Sequence, residues 1–422
     1  MADILDELRW RGLVAQTTDE EDLRAQLADG PVTVYCGFDP TAPSLHFGNL
    51  VQLILLRHLQ RAGHQVIGLV GGSTGLIGDP RPTSERVLKT REQTAEDVER
   101  IAAQVRRILS DEEGPAPIFV NNLDWTAPLS ALDFLRDLGK HFRVNQMIKK
   151  DAVAARLESD QGISYTEFSY QILQAYDYLH LYREHGCTLQ TGAQDQWGNI
   201  TAGTDLVHRV EGASVHALTT PLITDSQGRK FGKSEGNAVW LDPEMTSPYA
   251  FHQYWLGVED ASVITLLRIF TDRGPSQIEE LERSLAQEPQ ARAAQRALAD
   301  DVTTLVHGAE ATAQARAAAA ALFAGGDLSE LTPQTLAQAT DELPGGEVDA
   351  GTGIVDALVA VGLVDSKKAA RRAIGEGSVA INGVKVDDDT RALEPADYLH
   401  DAVVVLRRGR KNQAAARRPG RA

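Results

Sequence analysis

"PVTVYCGFDPTAPSLHFGNLVQLILLRHLQRAGHQVIGLVGG", residues 31–72, decides the fold of this 422-residue chain. Its first eight residues are rich in β-branched and aromatic side chains, and the run stops at Asp39-Pro40, where proline removes a backbone donor. Residues 48–63 carry apolar side chains at helical spacing and end on Gly63, and 64–72 read as a second strand. Strand, turn, helix and strand within about 40 residues form a βαβ unit, which predicts an α/β fold with a Rossmann-like, doubly wound parallel sheet. Ligands of such sheets sit outside the carboxyl ends of the strands, so Tyr35–Asp39 and Gly71–Asp79 are the expected mouth of a site.

Outward from this unit the chain exceeds the size at which one core stops growing, and two or three domains are expected. Residues 1–247 read as the sheet-bearing domain, with a helical insertion near 121–190 and a loop at 228–236. Helical periodicity in Ala, Leu, Arg and Glu predicts a separate helical domain over 248–325. The stretch 326–351, which runs into the Pro-, Gly- and acid-rich "DELPGGEVDAGTG", reads as a linker. Residues 352–412 predict a small α+β domain with a basic helix and a hairpin around Asn382-Gly383, and 413–422 a disordered basic tail.

Two cysteines, Cys36 and Cys187, supply neither a disulfide framework nor a four-ligand metal site, so no structural metal is expected. The chain shows no apolar run near the roughly 18 residues of a membrane span, and its N-terminus is amphipathic and acidic; a cytoplasmic location is the default expectation. The net charge of −17 argues against nucleic acid until its distribution is considered. From residue 366 onward there are 13 Lys or Arg against 7 Asp or Glu, a balance of +6 that leaves −23 for the first 365 residues.

Three short motifs carry chemistry. "GRKFGKS" (228–234) looks like a Walker phosphate loop short of one residue. "GGSTG" (71–75) fits the elbow of serine hydrolases around Ser73, but no oxyanion loop accompanies it, and a glycine turn that lets backbone approach a ligand is the simpler reading. "DPTAPSLHFGN" (39–49) ends a strand and opens a helix, where unpaired N–H groups and the helix dipole favour phosphate. On this stretch alone, His46 and Thr41 are equally well read as a helix cap and a turn residue.

"HFGN" (46–49) resembles the HIGH signature of class I aminoacyl-tRNA synthetases, and "KFGKS" (230–234) their KMSKS signature. "YCGFDPTAPSLHFGN", "GLIGDP", "NNLDW", "KHFRVNQM", "FSYQILQAYD" and "GAQDQWGNITAG" narrow the resemblance to tyrosyl-tRNA synthetases of the bacterial type, with 352–409 similar to an S4-type RNA-binding module.

The resemblance implies a tyrosine–tRNA ligase that uses ATP, with Mg2+, as substrate, works as a homodimer and binds L-tyrosine and tRNA(Tyr). Thr41, His46, Lys230 and Lys233 would meet the phosphates, and Gly37, Asp39, Gly48, Asn49, Gly192 and Asp195 would surround the nucleotide. Asn49 stands where the family signature ends in His, yet its amide can still donate. Tyr35 and Asp177 would meet the tyrosine hydroxyl, and Asp79, Tyr170, Gln174 and Gln196 its ammonium. Tyr170, Gln174 and Asp177 are spaced to share one helix face. Lys367, Lys368, Arg371 and Arg372 form one basic helical face expected to contact tRNA.

Overall fold

The computed structural model of the chain describes residues 3–420, apart from 82–83, 85–86, 111–112, 161, 225–232, 235–236, 324–325 and 410–411. It divides into two compact units. The first holds residues up to Met245 together with Glu259–Ala294, and the second holds Thr246–Val258 with residues from Gln295 onward.

The first unit is built on strands β1 (Gln16–Thr17), β2 (Thr33–Phe38), β3 (Gln65–Val70), β4 (Ile118–Asn121), β5 (Cys187–Ala193) and β6 (His216–Thr220), in the order β1-β6-β5-β2-β3-β4. All neighbours are parallel except the short β1, which runs against β6. Helices α1 (Phe47–Arg61), α2 (Gly72–Ile77), α3 (Arg91–Leu109), α4 (Tyr165–His185) and α5 (Trp197–Glu211) connect and cover the strands. Because both faces are covered, β3 is nearly all apolar, and Val66, Ile67, Leu69 and Val70 are buried. The chain leaves β2 toward β3 on one side and returns through β5 on the other. That reversal opens a crevice at the carboxyl ends of β2 and β5.

In the second unit, helices Pro248–Leu256, Ala309–Phe323 and Pro333–Asp341 accompany a five-stranded sheet. Its strands are β7 (Gly345–Glu347), β8 (Val379–Ile381), β9 (Val384–Lys385), β10 (Val403–Arg408) and β11 (Asn412–Arg417), in the order β9-β8-β10-β11-β7. Asn382 and Gly383, both at positive φ, make the expected tight turn between β8 and β9. Alternation along β10 and β11 sends Val404, Leu406, Ala414 and Ala416 to one core. Val403, Val405 and Ala415 face another, shared with Tyr249, Leu322 and Leu336.

Three boundaries read from the sequence are corrected. Residues 326–351 are no simple linker: Thr332 caps the helix Pro333–Asp341, and β7 pairs in parallel with β11. Residues 413–417 are no free tail, since Ala414–Ala416 are fully buried in β11, where small side chains fit against a core on either face. Nor do residues 248–325 form a unit by themselves, because helices Asp260–Phe270 and Pro275–Gln287 pack with the first unit.

Candidate active site

The crevice outside β2 and β5 is a cavity of about 270 Å³. Its walls include Tyr35, Gly37 and Asp39 from β2 and its exit, and Gly192, Asp195 and Gln196 from the end of β5. His46, Gly48 and Asn49 come from the start of α1, and Tyr170, Gln174 and Asp177 from α4, together with Thr41 and Asp79. Every candidate for tyrosine or ATP therefore lines one cavity, apart from the two lysines of the second signature. Lys230 lies outside the described residues. Of Lys233 the backbone is described, and it pairs with Ala238 in a two-residue antiparallel ladder.

At the deep end, Asp177 is fully buried and accepts from Asn122 Nδ2 and Trp125 Nε1, each at 2.9 Å. Burial pushes its carboxyl up to about 7, against the pull of those two donors. Tyr35 is buried beside it, and its hydroxyl has no hydrogen-bond partner. Burial, then the charge of Asp177, raises the pKa of this phenol well above its usual range, so it stays an O–H donor. One donor and one carboxylate acceptor at the end of a slot complement a hydroxyl group, which both accepts and donates.

Further out, Tyr170 donates to Asp39 Oδ2 at 2.6 Å, and Thr74 donates to Asp39 Oδ1 at 2.7 Å. The spent proton leaves the Tyr170 oxygen as an acceptor. Gln174 Oε1 is buried without a partner. Asp79 accepts from Gln196 Nε2 at 2.9 Å, from Asn199 Nδ2 at 3.1 Å and from Lys150 Nζ at 3.2 Å. Carboxylate, amide oxygen and phenol oxygen together present acceptors for an ammonium group. A Cβ on Gly71 would come within 2.0 Å of Asp39 Oδ1, so the glycine turn after β3 makes room for this network.

At the mouth, His46 is the N-cap of α1. Its Nδ1 accepts from the Gly48 N–H at 3.1 Å, while Asn49 Oδ1 accepts from the His46 N–H at 3.1 Å. His46 is therefore a helix cap, as one of its two readings expected. Accepting at Nδ1 puts the imidazole proton on Nε2, and using the Asn49 oxygen leaves its NH2 as the donor. A Cβ on Gly48 would lie 2.9 Å from the His46 ring, which holds that position to glycine. The segment after the second signature is fastened to the first: Trp240 bridges His46, Leu241 N–H donates to Leu45 O at 2.9 Å, and Asp242 N–H donates to Ser44 Oγ at 3.0 Å. Residues 240–242, which follow the second signature in the chain, are thus held against the turn that carries the first.

The chain matches the family described as tRNA synthetases class I (W and Y) over residues 27–324, and a tyrosine–tRNA ligase C-terminal domain over 335–415. It is 60% identical over 417 residues to the tyrosine–tRNA ligase of Streptomyces avermitilis, which spans 98% of this chain and 99% of that one. The chain belongs to the tyrosine–tRNA ligases. A second member, from Acidothermus cellulolyticus, is 53% identical over the whole of both chains. Among solved structures, a C-terminally truncated mitochondrial tyrosyl-tRNA synthetase from Aspergillus nidulans superposes with a TM-score of 0.67 at 28% identity, over 75% of this chain and 92% of that one. A tryptophanyl-tRNA synthetase from Encephalitozoon cuniculi, at 14% identity and a TM-score of 0.56, shares the fold.

Relative to these tyrosine–tRNA ligase signatures, reading the sequence missed the groups that hold the named ones. Asn122 and Trp125 lie in "NNLDW", and Thr74 in "GGSTG"; each stretch stood out, but nothing local told which carboxylate it would meet. Ser73 is buried and donates to Thr126 Oγ1 at 3.3 Å, an arrangement with no base to activate it. In the second unit Lys367, Lys368, Arg371 and Arg372 lie on the exposed helix Lys367–Gly375. Lys367 pairs with Asp356, Arg371 with Asp389 and Arg372 with Glu376. Such exposed pairs are worth at most about 1 kcal/mol and yield readily to a phosphate.

Proposed function

We propose that this chain is a cytoplasmic tyrosine–tRNA ligase that forms tyrosyl-adenylate and pyrophosphate from L-tyrosine and Mg–ATP, then passes the tyrosyl group to the 3'-terminal adenosine of tRNA(Tyr). The observation that carries the reading is the unpartnered Tyr35 hydroxyl beside Asp177 at the closed end of a slot whose outer part collects acceptors for an ammonium. In that pose the tyrosine carboxylate points toward the mouth and attacks the α-phosphate. The bond from the α-phosphorus to the bridging oxygen breaks, and pyrophosphate leaves with the electron pair. Positioning and charge stabilisation suffice, because substrate supplies the nucleophile.

His46 Nε2–H, the Asn49 amide and Thr41 are donors for the nucleotide phosphates at the start of α1, with Lys230 and Lys233 joining them from the second signature. Gly37, Gly48 and Gly192 let the nucleotide approach the backbone, and Asp195 accepts from ribose hydroxyls. Asp39 serves the nucleotide side while accepting from Tyr170. Mg2+ enters with the phosphates of ATP. The basic helix at 367–372 contacts the tRNA backbone in an S4-like domain. Exposed Leu132, Leu135 and Val144 support a homodimer, in which a second copy covers them.

ATP–pyrophosphate exchange, run separately with tyrosine and with tryptophan, tests the reading. Exchange with tyrosine alone is expected, and exchange with tryptophan alone would make the chain a tryptophan–tRNA ligase instead. Lys233→Ala should lower adenylate formation by about 2–4 kcal/mol of transition-state stabilisation and leave tyrosine affinity unchanged.

A further inference from the structure

Outside the cavity lining, on the side of Asp79, the Arg156 and Glu167 side chains are each 2% exposed, and Arg156 Nη1 donates to Glu167 Oε2 at 2.9 Å. Desolvating two such charges costs several kcal/mol each, and a well-packed apolar pair would serve stability as well. What the pair offers instead is reach. Arg156 Nε donates to Gly162 O at 2.9 Å and Nη1 also to Arg81 O at 3.3 Å. One side chain therefore joins the segment after Asp79, the turn before α4 and the first turn of α4. Glu167, Tyr170, Gln174 and Asp177 share one face of that helix. Arg156 belongs to the short helix Asp151–Leu157, and the residue that precedes this helix, Lys150, donates to Asp79 Oδ1 at 3.2 Å and to Asn199. Two cations at the ends of one short helix thus grip both ends of the tripeptide 79–81.

We propose that Arg156, with Glu167 and Lys150, is a positioning residue for recognition of the substrate's α-ammonium, fixing the Asp79 carboxylate relative to Tyr170 and Gln174 before substrate arrives. The inference rests on the reading of the cavity as the tyrosine site. Its mark is selectivity by substrate group: loosening Asp79 weakens the grip on the ammonium and leaves the hold on the phenol at Tyr35 and Asp177 intact.

Calorimetric titration of the full chain with L-tyrosine, and with 3-(4-hydroxyphenyl)propionate, which lacks the amino group, tests it. In Arg156→Lys and Glu167→Gln, tyrosine affinity should fall about ten-fold while affinity for the analogue changes less than about two-fold. In exchange assays KM for tyrosine should rise with kcat and KM for ATP little altered. Equal losses for both ligands, or undiminished tyrosine affinity, would overturn the positioning role. If Arg156→Lys does not fold, Glu167→Gln, which keeps an acceptor oxygen for the guanidinium, carries the test alone. A wild-type chain that binds no tyrosine would instead overturn the ligase reading itself.

Discussion

The two sheets of this chain end in opposite ways. The parallel sheet of the first unit stops at a crevice where buried polar atoms remain unsatisfied: the Tyr35 hydroxyl, Gln174 Oε1 and Gln190 Oε1. The sheet of the second unit is closed on both faces, with Val404, Leu406 and Ala416 on one side and Val403, Val405 and Ala415 on the other. An unsatisfied buried donor or acceptor costs about 1–3 kcal/mol, so the first arrangement is a standing expense that a ligand can relieve. The second is held mainly by the apolar side chains it buries on its two faces. One sheet is organised for binding, and the other for holding its helices and its basic face in a fixed arrangement.

Deleting residues 350–422 breaks the comparison most severely. It removes Val403, Val405 and Ala415 from the core that also holds Leu322 and Leu336, so the rest of the second unit should lose helical signal in circular dichroism. Charging of tRNA should be abolished while tyrosine-dependent exchange survives, because every cavity residue belongs to the first unit. Loss of exchange would mean that the units are not separable in function.

Asp177→Asn comes next. An asparagine has one oxygen where Asp177 accepts two N–H donors, and its own NH2 would face one of them. Tyrosine activation measured as kcat/KM should therefore fall by about 2–3 kcal/mol, on the order of 100-fold. The same change tests the raised pKa. With its folded value near 7, Asp177 binds a proton in the folded state that it has already lost in the unfolded one. Its contribution to stability is thus greatest at low pH and declines as pH rises from about 4 to about 7. Urea unfolding at the two ends of that window should show a decline in the wild type that Asp177→Asn lacks.

Leu336→Ala probes the closed sheet. A large-to-small change in a full core costs about 2–5 kcal/mol, read as a lower unfolding midpoint for the second unit, with exchange activity unchanged. The smallest effect belongs to the basic helix: Lys368→Glu should weaken tRNA binding by about 1 kcal/mol at low salt, and the deficit should shrink as salt is added.

Much of the binding sheet could be read in advance because its signals are local. β-branched runs, a proline stop and helical spacing placed β2, α1 and β3, and the spacing of Tyr170, Gln174 and Asp177 placed them on one face of α4. The closed sheet was harder. β7 is three residues containing two glycines, and β11 centres on three alanines; neither has strand propensity, and β11 is a strand because it pairs with β10 next to it in the chain, β7 because it joins β11 from far along the sequence. Thr332 capping the helix Pro333–Asp341 was a local signal, but it lay within a stretch whose Pro, Gly and acid content pointed to a linker.

The sequence by itself determined which side chains are available, on which helix or strand each would ride, and that two phosphate-type signatures belong to one family pattern. Only the tertiary structure decided their partnerships. It turned His46 into a cap whose proton sits on Nε2, tied Tyr170 to Asp39, and set Asn122 and Trp125 on Asp177. It also gave Arg156 three segments to hold. The reason is physical: spacing along the chain encodes direction within one element, whereas a buried proton or charge is settled by whatever other elements bring to within about 3 Å of it.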